Sequence, residues 1–180
     1  MTQQQLIICG VGGQGILFVT RLLAETAIAK GLPVLTSETH GMAQRGGVVV
    51  SHLKVGGFSS PLVRPGQADI LVSLKPETVT LHLHFLNRDG FIVTNAKGAL
   101  PESAPYPTVC LDADTLALSL GDAQAVNLIV LGRVLAEQGR LFCTAEEVEQ
   151  VVRQKMAGKE KQLARALAAF RAGLGHVKED

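Results

Sequence analysis

The chain contains 180 residues, a length typical of one domain and sufficient to bury roughly 70% of the surface exposed by the unfolded chain without a disulfide or metal staple. Charged residues make up 18% and apolar residues 47%, with a mean hydropathy of +0.26, which favours a subunit that buries an apolar face on a partner over a compact domain with a small surface. A net charge of +1 and the lack of a basic run with interleaved aromatics argue against nucleic-acid binding.

Short apolar runs predict six strands, at residues 6–9, 33–36, 48–55, 70–74, 91–94 and 108–111. Helical periodicity separates several of them, at residues 14–29 and at 76–86, where Pro76 suits a first helical turn. Apolar strands that alternate with helices predict an α/β, Rossmann-like fold, a mostly parallel sheet with helices on both faces. The run at 48–55 ends at two glycines and has the alternative of turning back as a hairpin, which would make the sheet mixed.

The remainder of the chain is predicted to be helical. We therefore expect a single domain over residues 1–180, with a sheet core at 1–113 and a helical C-terminal part at 114–180. Residues 122–138 are apolar around almost the whole helix circumference, which predicts a buried helix. Thr144 and Glu147 have the spacing of a capping box at the start of a further helix, and a last helix follows Gly158.

The cysteines and the termini favour a soluble cytoplasmic protein. Cys9, Cys110 and Cys143 are widely spaced and odd in number, as is typical of reduced thiols, and they are too few for a cluster that needs about four thiolate ligands. Residues 1–5 lack the features of a signal peptide. The most apolar later stretch, 123–136, is interrupted by polar residues and is shorter than the roughly 20 residues that a bilayer requires, so no membrane partner is expected.

Two glycine-dense segments carry most of the functional information. The first consists of Gly10, Val11, Gly12, Gly13, Gln14 and Gly15, and it lies between the first predicted strand and helix. Its glycines allow close approach to the backbone, and the free N–H groups at the start of the helix favour an anion. The spacing also matches a dinucleotide fingerprint, with Glu38 placed 23 residues after Gly15 as a ribose-binding carboxylate. A tight turn that only packs helix against sheet explains the same glycines.

The second segment follows the second predicted strand. It carries Glu38, Thr39, His40, Gln44, Arg45, Gly46 and Gly47, and we expect it near the same sheet edge. A carboxylate, an imidazole, an amide and a guanidinium are suited to binding an anion, orienting a partner loop or acid–base work. A structural role for His40 and an interface role for Arg45 remain open alternatives.

Other polar residues give weaker signals, and no catalytic residue or metal ligand is predicted. His82 and His84 are two residues apart on a predicted helix, which points them to different faces. His52 alternates with apolar residues and is expected to be exposed or hydrogen-bonded. The nucleophile elbow is absent, and so is the thiamine diphosphate motif.

With these residues in view, the chain resembles the gamma subunit of 2-oxoacid:ferredoxin oxidoreductases, the group of pyruvate, 2-oxoglutarate, 2-oxoisovalerate and indolepyruvate enzymes. The resemblance rests on residues 10–31, 36–56, 60–63 and 68–78. It implies a subunit, inactive alone, of a complex that decarboxylates a 2-oxoacid, transfers the acyl group to coenzyme A and reduces ferredoxin. It further implies that thiamine diphosphate, Mg and [4Fe–4S] clusters belong to the alpha and beta partner subunits, and that this chain carries no cofactor of its own.

The two glycine-dense segments are then expected to face the partner subunits or coenzyme A, and the isolated chain is expected to form a homodimer or to require its hetero-oligomer. A stand-alone NAD(P)-binding oxidoreductase or redox regulator, using Gly10, Gly12, Gly15 and Glu38, is the alternative from another class.

Overall fold

A computed structural model describes residues 3–40, 46–103 and 105–175 of the chain, and only the backbone of His40. The described residues form one six-stranded sheet whose strands are β1 (Gln4–Val11), β2 (Val34–His40), β3 (Val48–Val55), β4 (Ala68–Ser73), β5 (Leu86–Asn95) and β6 (Thr108–Leu111). Its helices are α1 (Ile16–Ala29), α2 (Glu77–His82), α3 (Ala113–Ser119), α4 (Val126–Ala136), α5 (Ala145–Lys155) and α6 (Glu160–Gly175).

The sheet is mixed, with strand order β2-β3-β1-β4-β5-β6. β1, β4, β5 and β6 are parallel neighbours, whereas β3 pairs antiparallel with both β1 and β2. Only residues 41–47 join β2 to β3, and a parallel return would require a crossover of a dozen or more residues. The predicted α/β fold is confirmed, and so is the hairpin alternative for residues 48–55.

Helices cover the two sheet faces unequally. The helix-rich face, which carries Leu6, Leu53 and Ile70, forms one apolar core with α1, α4, α5 and α6. The opposite face, here called the α2 face, carries Ile7 and Leu71 and is covered by α2 and by the connections around it.

The central helix α4 is buried, as its all-round apolar pattern predicts. It crosses α6 at backbone contact: a methyl group on Gly173 would lie 1.9 Å from the carbonyl oxygen of Ile129. The helix is shorter than the predicted 122–138, because Gly121 has a left-handed φ of 71° and Asp122 accepts a hydrogen bond from Gln124 in the preceding turn.

The predicted helix at 76–86 is also too long. α2 ends at His82, a short 3-10 turn covers Leu83–Phe85, and Leu86 already begins β5. The N–H groups of Gly66 and Gln67, in the connection between β3 and β4, donate to the carbonyl groups of His84 and Phe85. These hydrogen bonds to another part of the chain end the helix. The predicted capping box of α5 is confirmed, with Thr144 and Glu147 bonding each other's backbone N–H groups.

Within the described ranges, no helix is long and apolar enough to cross a bilayer.

Candidate functional site

The two glycine-dense segments meet at the edge of the sheet where β1 ends. The backbone N–H of Gly12 donates to the carbonyl oxygen of Gly47 over 2.9 Å. β1 and β3 run side by side here, with Val11 opposite Val48, so the end of one strand and the start of its antiparallel neighbour bring the segments together. We call this region, residues 10–15 with Gly46 and Gly47, the glycine edge.

The glycines of this edge have different neighbours. Gly12 and Gly13 are exposed; a methyl group on Gly12 would make ordinary contacts at 3.6 Å or more, and one on Gly13 would contact nothing within 4 Å. A methyl on Gly15 would instead lie 2.1 Å from the side-chain nitrogen of Asn127, and one on Gly10 would lie 2.6 Å from the Gln14 side chain. Gly10 and Gly15 are therefore packing positions, whereas Gly12 and Gly13 present backbone to the exterior.

The side chain of Gln14 bridges the ends of β1 and β4. Its Oε1 accepts from the N–H of Val11 over 2.8 Å, and its Nε2 donates to the carbonyl of Leu74 over 3.0 Å. This is the topological switch point of the sheet, because the chain leaves β1 toward β2 on one side and later returns to β4 on the other. Ligands of open α/β sheets bind in the crevice at such a point, and here an amide of the chain occupies it.

A second amide extends this network to the next strands. Asn95, at the end of β5, donates to the Leu74 carbonyl over 3.4 Å and to Asp114 over 3.0 Å, and its Oδ1 accepts from the N–H of Ala113. The ends of four parallel strands are thus joined by two buried or half-buried amides. Sequence reasoning did not single out Asn95; its position at the end of a predicted apolar strand was the available signal.

Asn127 is a further residue that the sequence analysis did not assign to this site. It lies in the first turn of α4 and contacts Gly15, the residue that precedes α1. A polar residue in a helix that is otherwise apolar almost all round could have indicated it. The start of α1, where an anion was predicted to bind, is therefore flanked by the start of α4.

The second segment is only partly described. Glu38 and Thr39 are exposed on β2, whereas Gln44, Arg45 and the side chain of His40 lie outside the described residues. Glu38 pairs with Ser51 of β3, which in turn pairs with Ile8 of β1. Because β3 separates β2 from β1, Glu38 lies two strand spacings, about 9.6 Å, from β1.

Hydrogen bonds to the backbone hold the two buried histidines of the α2 face. His52, which was predicted to be exposed or hydrogen-bonded, is buried and its Nδ1 accepts from the N–H of Val63 over 3.2 Å. His82 is buried and its Nδ1 bonds the Thr78 carbonyl. Desolvation lowers the pKa of both imidazoles below the ordinary value of 6.5. In the part of the chain that the structure describes, no three His, Cys, Asp or Glu residues are grouped to hold a metal ion.

Two of the three cysteines are buried in environments that disfavour the thiolate. Burial raises the pKa of the Cys9 thiol to about 11 and that of the Cys143 thiol to about 12. Neither forms a disulfide. Both are protonated at neutral pH, and thiolate chemistry is therefore unfavourable at either residue.

Comparison with known proteins gives consistent matches over nearly the whole chain. A family model described as pyruvate ferredoxin/flavodoxin oxidoreductase matches residues 5–175. The indolepyruvate oxidoreductase subunit IorB of Archaeoglobus fulgidus is 32% identical over 174 residues, which cover 86% of each chain.

Solved structures share the fold. The pyruvate oxidoreductase subunit PORC of Thermotoga maritima superposes with a TM-score of 0.81 at 20% identity, covering 99% of this chain and 98% of that one. The 2-oxoglutarate:ferredoxin oxidoreductase of Magnetococcus marinus, solved with 2-oxoglutarate, coenzyme A and succinyl-CoA bound, matches with a TM-score of 0.79 at 18% identity. All of this chain corresponds to 32% of that longer chain.

Proposed function

The chain belongs to the pyruvate ferredoxin/flavodoxin oxidoreductase family, and we propose that it is the gamma-type subunit of a complex that oxidises a 2-oxoacid to acyl-CoA and CO₂ while reducing ferredoxin. Relatives that carry the names of indolepyruvate and of pyruvate/ketoisovalerate oxidoreductase subunits support a 2-oxoacid as the substrate class. In this proposal the chain has no activity alone.

The proposal assigns the cofactors to partner subunits. Thiamine diphosphate and iron–sulfur clusters supply decarboxylation and electron transfer in such a complex. Cys9 and Cys143, two of the three cysteines, are buried, protonated thiols, which supports iron–sulfur ligation by other chains. The features of this chain that can contact a partner subunit are the backbone of the glycine edge and exposed hydrogen-bonding groups.

The single observation that carries the proposed role is the exposed backbone at Gly12. Gly10 and Gly15 fill packing positions and Gly13 has a left-handed φ of 96°, whereas Gly12 is exposed, has no such φ and has room for a methyl group, so neither packing nor backbone conformation requires its glycine. The hydrogen bond from Gly12 to Gly47 ties this turn to the second segment. We propose that the glycine edge docks against the catalytic subunits and that the adjoining start of α1, where helix N–H groups favour an anion, contacts coenzyme A where it reaches this interface.

A stand-alone NAD(P)-binding protein is not favoured by the geometry. A dinucleotide fold places the ribose-binding carboxylate on the strand beside β1, but here β3 occupies that place and Glu38 lies one strand further out. The Gln14 side chain also spans the crevice between β1 and β4.

The direct test is purification of the tagged chain from its native cells under anaerobic conditions. We expect co-purified subunits that contain thiamine diphosphate and iron–sulfur clusters, and an eluate that reduces a low-potential dye only when a 2-oxoacid and coenzyme A are both present. Saturable binding of NADH to a solitary chain without this activity would overturn the proposal.

Substitution of Gly12 by valine tests the role of the glycine edge. Gly12 is exposed and a Cβ there would make only ordinary contacts, with Gly46 and Gly47 at 3.6 Å or more. We therefore expect unchanged thermal stability of the isolated chain but a loss of subunit retention or an increase of about tenfold in the coenzyme A concentration required, equivalent to ~1.4 kcal/mol. Gly175→Val is the matched control, because Gly175 is exposed at the end of α6 with no neighbour within 4 Å. A Gly12→Val complex that matched the wild type in both assays would exclude this role.

A further inference from the structure

Far from the glycine edge lies a buried lysine that has no counter-charge among the described residues. Lys54, near the end of β3, is only 7% exposed, and it is registered between Gln5 of β1 and Leu35 of β2 on the α2 face. Its Nζ lies 4.9 Å from the centre of the Phe58 ring. Among the described residues it forms neither a hydrogen bond nor an ion pair, so the ring is its favourable electrostatic contact.

The surroundings add positive charge instead of neutralising it. Burial and the neighbouring guanidinium of Arg64 both lower the pKa of Lys54. Residues 54–67 contain no Asp or Glu, and the carboxylate of Asp69, next along the chain, already accepts hydrogen bonds from the Gln5 N–H and from Asn87. Burying a cation is costly unless it is paired, and nothing in the described chain supplies the anion.

The adjoining surface is suited to a polypeptide. Phe58, whose ring faces Lys54, also lines a polar depression of about 310 Å³. The rest of that lining includes the amides of Gln5, Gln67 and Asn87 and the carboxylate of Asp69, which is engaged by the Gln5 N–H and by Asn87. Amide side chains donate to and accept from peptide groups. Leu62, in the same connection between β3 and β4, is 49% exposed, which adds apolar surface to this connection.

We propose that Lys54 and Arg64, together with the Phe58 ring and the amide-lined depression, form a docking site for an acidic segment of a partner subunit. The site lies at the end of the sheet where β1 begins, opposite the glycine edge, so the chain contacts its complex at two separate places. This inference rests on the proposed function, because it needs a partner subunit.

The test uses the complex isolated through the tagged chain. Carbodiimide treatment, which joins an amine directly to a carboxylate, followed by peptide mass spectrometry is expected to give a cross-link between Lys54 and an Asp or Glu of another subunit. The double variant Lys54→Met/Arg64→Gln, which retains the lysine's apolar stem, is expected to weaken subunit retention about 30-fold or more at physiological salt, as for loss of one side of a buried charge pair. The isolated variant is expected to be at least as stable as the wild type, because it no longer buries an unpaired charge. Lys161→Met, an exposed lysine of α6, is the control and is expected to change neither quantity.

The outcomes separate this inference from the proposed function. Recovery of the wild-type chain without any partner would overturn both. Wild-type retention by the double variant would overturn the docking site alone. A Lys54 cross-link to residues 176–180 of its own chain would also overturn the docking site, because the counter-charge would then be internal. So would normal retention of the double variant together with Lys54-dependent stabilisation of the isolated chain by acetate or sulfate, because the counter-charge would then be a small anion.

Discussion

At the scale of single residues, the four glycines of the first segment are alike in the sequence but differ in the fold. Gly15 has a φ of 79° and lies against Asn127, so its missing side chain is required twice, once by the backbone and once by the neighbouring helix. Gly12 has room for a methyl group. A fingerprint of glycine spacings therefore mixes positions that hold the fold with positions that face outward.

Gly15→Ala is expected to destabilise the isolated chain by about 2–5 kcal/mol. A left-handed conformation costs an L-residue roughly 1–2 kcal/mol, and overpacking against Asn127 adds about 1–3 kcal/mol. Urea unfolding followed by far-UV circular dichroism measures the difference, and Gly12→Ala serves as the control with a change of less than about 0.5 kcal/mol.

Adding Asn127→Ala to Gly15→Ala is expected to restore the stability lost through overpacking, while the stability lost through the left-handed backbone conformation is not recovered. Equal stabilities for Gly15→Ala and Gly12→Ala would contradict the assignment of Gly15 as a packing position.

At the scale of secondary-structure elements, the local sequence pattern predicted whether a segment is a helix or a strand better than it predicted how the elements are arranged. Each of the six predicted runs is a strand, and the Thr144–Glu147 capping box starts α5, because apolar runs and caps are local signals. α2 ends earlier in the chain than predicted, because the N–H of Gly66 bonds the carbonyl of His84 and ends the helix. The place of β3 between β2 and β1 was not predicted either, because it depends on which strand edges meet.

The sequence likewise predicted the location of the candidate site but not the contacts that form it. Glycine density located the turn after β1, but the bridge from Gln14 to Leu74 joins residues 60 positions apart in the chain. No local pattern reports such a contact. Gln44 and Arg45 lie outside the described residues, so their roles stay predictions.

The contact between β3, its following connection and α2 is expected to weaken in acid. His52 and His82 are both buried next to the Phe85 ring; burial lowers the pKa of each imidazole, and the positive charge of Lys54 lowers that of His52 further. Because their folded-state pKa values lie below 6.5, the unfolded chain binds more protons in acid. Their stabilisation is therefore complete above pH 6.5 and is lost as the pH falls through the folded-state pKa values.

The free energy of unfolding between pH 5 and pH 6.5 measures this effect. We expect it to fall with decreasing pH, with a limiting slope of about 1.4 kcal/mol per pH unit for each histidine. A His52→Gln/His82→Gln variant is expected to have a flatter profile in this range, even if it is less stable overall. An unchanged slope in the variant would assign the acid sensitivity to other groups.

At the scale of the whole molecule, the C-terminal helices complete the core of the sheet. One apolar cluster contains Leu6 and Ile70 of the strands together with Ile129 of α4, Val148 of α5 and Phe170 of α6. α4 also contacts β5 and α1. Separation of the chain at residue 113 would therefore expose both the helix-rich face of the sheet and the apolar sides of the helices that cover it.

We accordingly expect residues 1–180 to unfold as one unit, with neither 1–113 nor 114–180 folding alone. Each fragment would expose the apolar surface that the other buries, and burial of such surface, at roughly 25 cal/mol per Å², is the main favourable contribution to folding. The intact chain should give coincident urea transitions by circular dichroism and by hydrogen exchange of β1 and α4 amides, whereas each fragment should lack slowly exchanging amides and bind a hydrophobic dye. Two separated transitions in the intact chain, or a protected 1–113 fragment, would instead make the sheet an autonomous unit to which the helices are only attached, and the glycine edge would then not depend on Asn127 of α4 for its shape.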